Sequence, residues 1–139
     1  MNNIIISQSK GKKYIRQIDD NKELSKIAIY SKLRMPFGID MVYGKRYAKV
    51  KLFENEQQVK DIDIRLSELV ENISSCFYKD LVQTVIDKNF KLYDSDGKEL
   101  SSFAIDKGTT LNAWLYLNDI YEKNNSYRWY IQKAIIVNN

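Results

Sequence analysis

Arg46-Tyr47-Ala48-Lys49-Val50-Lys51-Leu52-Phe53 alternates without a break: Ala48, Val50 and Leu52 on one side, and Tyr47, Lys49, Lys51 and Phe53 on the other. Successive side chains of a strand point to opposite faces, so this period of two predicts a strand with one buried and one solvent-facing side. The segment Lys26-Ile27-Ala28-Ile29-Tyr30-Ser31-Lys32-Leu33-Arg34 repeats the pattern. Ile27, Ile29 and Leu33 form its apolar face, and Lys26, Tyr30, Lys32 and Arg34 the opposite one. Two strands of this kind predict a sheet whose outer face is basic and rich in tyrosine.

The pair belongs to predicted strands Leu24–Leu33 and Arg46–Glu54, and outward from it further strands are predicted at Ile4–Gln8 and Tyr14–Gln17, all rich in Ile, Val and Tyr. Leu66, Leu69, Val70, Ile73, Phe77, Leu81 and Val85 recur at three- and four-residue steps and predict one helix with Asp63 as its N-cap, breakable at Ser74-Ser75. Phe90–Tyr93 and Glu99–Phe103 flank Asp96-Gly97 and predict a hairpin. Leu111–Leu117 and Tyr127–Val137 predict two last strands joined by the polar loop Asn118–Ser126. On the first of these, Asn112, Trp114, Tyr116 and Asn118 share the face opposite the leucines; Arg128, Tyr130 and Gln132 continue that surface on the second. Strands, helix, strands in this order give an α+β class: a mostly antiparallel sheet with the helix packed on one face. A curled half-barrel is the alternative. With five Gly and one Pro in 139 residues, nothing divides the chain, and residues 1–139 read as a single globular domain.

Composition narrows the function. No His is present, so Ser-His and Cys-His nucleophile pairs and imidazole metal ligands are excluded. One Cys rules out an internal disulfide framework and a Cys-rich zinc site. No segment reads as a signal peptide or membrane span, which gives the expectation of a cytoplasmic protein without membrane attachment. The formal charge of +4 is uneven: residues 1–60 hold 13 Lys/Arg against 6 Asp/Glu, and residues 61–139 hold 9 against 12. Such asymmetry points to an acidic partner for the basic half. Ile, Lys, Asn and Tyr together supply 56 of the 139 residues. Their codons are AT-rich, and a phage, plasmid or bacterial genome of that composition is the simplest source.

The candidate interface is therefore Lys26, Tyr30, Lys32, Arg34, Lys45, Tyr47, Lys49 and Lys51, where cations would neutralise phosphates and rings would stack on bases. Lys45–Leu52 meets the RNA-recognition pattern at Lys45, Tyr47, Ala48 and Val50 but departs from it at Arg46, Lys49 and Leu52, and is not assigned to that family. A second surface is Met35-Pro36-Phe37-Gly38-Ile39-Asp40-Met41, in which Met35, Phe37, Ile39 and Met41 would meet a protein partner if exposed.

The leading expectation is a non-catalytic binding protein engaging nucleic acid or a nucleoprotein complex, with no cofactor and no metal. The alternative is a mobile-element inhibitor or adaptor that binds a host protein of a nucleic-acid machine. A metal-dependent nuclease comes third, resting on Asp96-Gly97-Lys98 with Asp80 or Asp87 upstream; separately, Asp61 and Asp63 could share a metal, against a reading as helix capping and a solvated edge. Cys76 reads as a small buried hydrophobe.

Overall fold

A computed structural model describes residues 3–137. In chain order its elements are β1 (Ile4–Ser9), β2 (Lys12–Ile18), β3 (Leu24–Ser25), β4 (Ala28–Met35), β5 (Asp40–Val42), β6 (Lys45–Leu52), α1 (Glu56–Leu69), β7 (Phe77–Tyr78), β8 (Leu81–Tyr93), β9 (Glu99–Leu100), a 3₁₀ turn (Ser102–Ala104), β10 (Thr109–Leu117) and β11 (Trp129–Ile136).

The main sheet closes on itself. β4 pairs with β10, β10 with β11, β11 with β8, β8 with β6, and β6 with β4 again. Four of these pairings are antiparallel, while β11 and β8 run parallel. The α+β class with a sheet and one helix stands, but the sheet is mixed and forms a closed five-stranded barrel. From Ala28 the registers lead through Tyr116, Tyr130, Val85 and Tyr47; extending the β6–β4 register then reaches position 38, ten residues further along β4. This displacement is the stagger that closure demands of tilted strands.

The alternation that predicts the strands is what fills the barrel. Ile29, Leu33 and Met35 of β4, Ala48, Val50 and Leu52 of β6, Leu111, Ala113, Leu115 and Leu117 of β10, and Trp129, Ile131 and Ala134 of β11 are all buried. Each large apolar side chain so removed from water contributes about 1.5–3 kcal/mol. Two buried hydroxyls are satisfied by backbone carbonyls: Thr84 Oγ1 donates to Ala48 at 2.7 Å, and Ser31 Oγ to Glu54 at 2.8 Å.

Several expectations are corrected. The helix ends at Leu69, and Phe77, Leu81 and Val85 lie on strands β7 and β8. Its buried stripe is Val59, Ile62 and Leu66, about two turns earlier than the periodicity suggests. The helix starts after Asn55, whose αL backbone makes the turn from β6. Asp63 is interior to the helix and caps nothing; its carboxylate accepts hydrogen bonds from Ser75 Oγ, the Cys76 amide and the Tyr127 hydroxyl. Two residues apart on a helix, Asp61 and Asp63 diverge by roughly 200°, and Asp61 instead accepts from Gln57. Leu24–Leu33 is split: Leu24 and Ser25 pair with β2, and the barrel strand begins at Ala28. Met35 is fully buried, and Ile39 packs against the core, so the proposed partner loop is reduced to Phe37 and Met41, which are exposed. Cys76 is buried, as its surroundings on the sequence suggest. No helix is long and apolar enough to cross a membrane.

The three-stranded sheet β1-β2-β3 is separate from the barrel and supports it. The Ile15 amide donates to the Asn118 carbonyl, and the Ile120 amide to the Lys13 carbonyl, both at 2.9 Å. Arg16 adds a bond to the same Asn118 carbonyl at 2.9 Å. The segment joining β10 to β11 is thereby held along its first three residues.

Candidate nucleic-acid interface

The registers place one lateral row of outward side chains across the barrel wall. Tyr47 on β6 is opposite Val85 on β8; Val85 is beside Tyr130 on β11; Tyr130 is opposite Tyr116 on β10; Tyr116 is opposite Ala28 on β4. Three of these five residues are tyrosines, and Val85 leaves a gap between two of them.

Tyr47, Val85, Tyr130 and Tyr116 of this row floor an open groove of about 430 Å³. One wall is the turn end of the β5–β6 hairpin at Gly44, Lys45 and Arg46, and the other is the β10–β11 connection at Asn118, Asp119, Tyr121 and Asn124. The hairpin turns at Tyr43 and Gly44, both with positive φ (50° and 79°), the geometry whose twist suits a two-residue hairpin loop. It leaves the Tyr43 ring wholly exposed beside exposed Met41 and Val42. The far wall is tied to the rest of the chain as well as to β2: Tyr121 and Ser126 exchange backbone bonds, and the Ser74 amide donates to Asn125 at 2.8 Å.

The tyrosines are oriented by carboxylates. Tyr116 donates to Asp87 at 2.6 Å and Tyr130 to Asp119 at 3.4 Å. Their rings stack, with centroids 5.3 Å apart and planes 15° from parallel. Burial, followed by the neighbouring Asp119, pushes the Tyr130 hydroxyl up to about 12; burial, followed by Asp87, raises Tyr116 further. Both phenols therefore stay protonated, as donors to their carboxylates.

Four cations line the groove: Lys45, Arg46, Lys88 and Arg128. Arg46 is tethered to Ser102 Oγ at 3.0 Å and the Asp87 carbonyl at 3.3 Å, and Arg128 to the Tyr127 carbonyl at 3.0 Å. Lys45 donates to the Tyr121 hydroxyl at 2.7 Å, which raises its pKa above the ordinary lysine value. Lys26 lies over the Tyr116 ring, 4.6 Å from its centroid.

Of the eight residues expected from sequence, Lys45 and Tyr47 line the groove, and Lys26 reaches its edge through Tyr116. Tyr30 instead packs on Trp114. Lys32 and Arg34 are exposed further along β4, and Lys49 and Lys51 are half-buried further along β6, where Lys49 lies over Tyr78. The reason is closure: β4 and β6 share only the pairs Leu33–Leu52 and Arg34–Lys51, and their outer faces diverge beyond them. Lys88, Asp119 and Tyr121 escaped sequence reading, and Asp87 was considered there only as an acid of a metal site. Asp87 and Lys88 lie on β8, part of which the sequence pattern assigned to the helix; Asp119 and Tyr121 lie in a loop, which has no periodicity, and the available signal was a tyrosine between two aromatic-rich strands.

Among the described residues no group of three or more His, Cys, Asp or Glu is arranged to hold a metal ion. Asp96 sits in the turn after β8, where the Asp94 carboxylate accepts from the amides of Asp96 and Lys98 at 2.9 Å. Compared with known proteins, the chain matches no family model, no curated protein and no solved structure at a significant level.

Proposed function

We propose that this protein is a non-catalytic binder of single-stranded nucleic acid, held in the tyrosine-floored groove. The observation that carries the proposal is the row Tyr47–Val85–Tyr130–Tyr116 between two fixed walls. Tyr47 and Tyr130 stand on strands two ladder steps apart, roughly 9.5 Å. With Val85 between them, a flat base can enter the gap and meet a ring on either side. Each base stacked on an aromatic is worth about 1–3 kcal/mol whatever its identity. Paired bases in a duplex cannot enter such a gap, so the groove selects single strands. Lys45, Lys88 and Lys26 are placed to meet phosphates along the rim.

The strand order supports the same reading by analogy. A five-stranded Greek-key barrel is the architecture of OB folds, which bind oligonucleotides and oligosaccharides on the face of strands two and three and at the first and last connecting loops. Here those features correspond to β6, β8, the β5–β6 hairpin and the β10–β11 connection. Helix α1, inserted between the second and third barrel strands, and the β1–β3 sheet are additions to that barrel. Fold alone does not carry function; the tyrosine row and the lysines make the argument for nucleic acid.

The test is fluorescence anisotropy of a labelled oligothymidylate across a salt series. Three phosphate contacts at about 0.7 each give a log–log slope near −2, or roughly a 20-fold loss of affinity from about 50 to 200 mM salt. Absence of binding at low salt, or salt-independent binding of a neutral oligosaccharide in its place, would overturn the proposal.

The exposed hairpin tip favours a second reading, a protein partner docked on Met41, Val42 and Tyr43. In that case the double variant Met41→Ser, Tyr43→Ser would abolish partner capture and leave oligonucleotide anisotropy unchanged.

A further inference from the structure

Trp114 lies outside the groove and belongs to a second aromatic and basic cluster on the same wall. Its ring packs against Tyr30 of β4, with centroids 4.4 Å apart, and Lys133 Nζ lies 4.5 Å from the ring centroid. A shallow cleft of about 210 Å³ opens beside it, lined by Asn89, Lys91, Gln132 and Lys133. The cleft exists because the ladder is irregular at this point: the register shifts between Trp114 and Leu115, and again between Ile131 and Lys133. Trp114 and Tyr116 are two residues apart on one face of β10, about 7 Å along the strand. That is about twice the 3.4 Å spacing of stacked bases along one DNA strand. A nucleic acid touching both must be single-stranded and extended.

We propose that Trp114 is a second stacking station, continuous with the groove, over which a bound single strand leaves the barrel. The inference rests on the groove reading above. Lys133 is the exchangeable cover of this station. Its attraction to the ring is worth about 0.5–1 kcal/mol at an exposed site, less than the 1–3 kcal/mol of a stacked base. On binding, the base takes the ring face and the displaced ammonium moves to the adjoining phosphate. Lys32 flanks the same path opposite Asn112 and, with the displaced Lys133, gives it charge for a phosphate backbone; Lys91 lines the cleft but lies 3.6 Å from Glu99.

Trp114 also reports on itself. The only other tryptophan, Trp129, is fully buried in the barrel, so fluorescence quenching by a ligand reads contact at Trp114. The experiment titrates the whole protein with oligothymidylates of about 4 and about 12 nucleotides, within the range of site sizes for such barrels. Anisotropy and tryptophan emission are read together, with Trp114→Phe as the background for Trp129. Both oligomers are expected to bind, with only the longer one quenching emission. Trp114→Ala is expected to weaken the longer oligomer about tenfold and leave the shorter unchanged, which also shows the variant to be folded; Trp114→Phe keeps most of the affinity. Binding of both oligomers with no quenching by the longer one, or equal loss for both in Trp114→Ala, overturns the station and leaves the groove reading standing. No binding by either oligomer overturns both.

Discussion

The two ends of β6 carry the same residue types on the same face and differ in what the rest of the fold brings to them. At the far end, Lys51 Nζ lies 2.8 Å from Glu56 and 3.7 Å from Asp80. At the near end, Lys45 is held by a phenol, and among the described residues no carboxylate comes within 4.0 Å of it. The hydrogen bond to Glu56 raises the Lys51 pKa, and Lys51 in turn holds Glu56 below its ordinary value. Lys51 is thus committed to the start of α1, whereas Lys45 is charged, tethered and open to an anion. Equal lysines in a sequence are not equal cations in a fold; the acid that arrives from elsewhere decides.

The largest expected effect is one that both ends share, because both depend on the barrel. Burial raises the Cys76 thiol to about 12 and holds Tyr127 protonated far beyond its usual range. The unfolded chain releases these protons from about pH 9 and 10, while the folded chain keeps them, so the stability they contribute is complete below pH 9 and falls as pH rises, through about pH 12 for Cys76 and beyond it for Tyr127. Each such proton costs about 1.4 kcal/mol per pH unit over its window. Denaturant unfolding at pH 8, 9, 10 and 11 is expected to show stability falling with increasing slope, and a flat profile would remove the buried assignment.

The next effect separates the ends. Val85→Phe fills the gap between Tyr47 and Tyr130 and is expected to weaken oligonucleotide binding between about 10- and 100-fold, the value of one to two stacked bases. Gln83→Phe, two residues along β8 opposite Lys49, is expected to change affinity less than twofold. Similar losses from both would erase the distinction. Smaller still, Lys45→Ala is expected to reduce the salt slope by about 0.7. Lys51→Ala should leave the slope unchanged and cost at most about 1 kcal/mol of stability, as partly exposed ion pairs do.

The strands were legible because burial in β4, β6 and β10 follows the period of two that the sequence displays. The helix was misplaced because Leu66 belongs to two patterns. It ends the buried series Val59, Ile62, Leu66, and it also begins an accidental series through Phe77 and Val85 that crosses the break at Ser74-Ser75. Full closure was not legible beyond the half-barrel alternative: β6–β8 pairs residues far apart in sequence, and alternation says which face is buried without saying which strand is the neighbour. The site shares that fate. Tyr47, Tyr116 and Tyr130 could be placed on outer faces one by one, but their alignment in one row depends on the parallel β11–β8 pairing.

The central claim is that the groove end of the wall, and not the β4–β6 seam, holds the ligand. Lysine acetylation read by mass spectrometry, with and without saturating oligothymidylate, tests it directly. Protection is expected at Lys45, Lys88 and Lys26, with Lys51 and Lys60 modified as in the free protein. Protection at Lys49 and Lys51 with Lys45 and Lys88 still reactive would contradict the account.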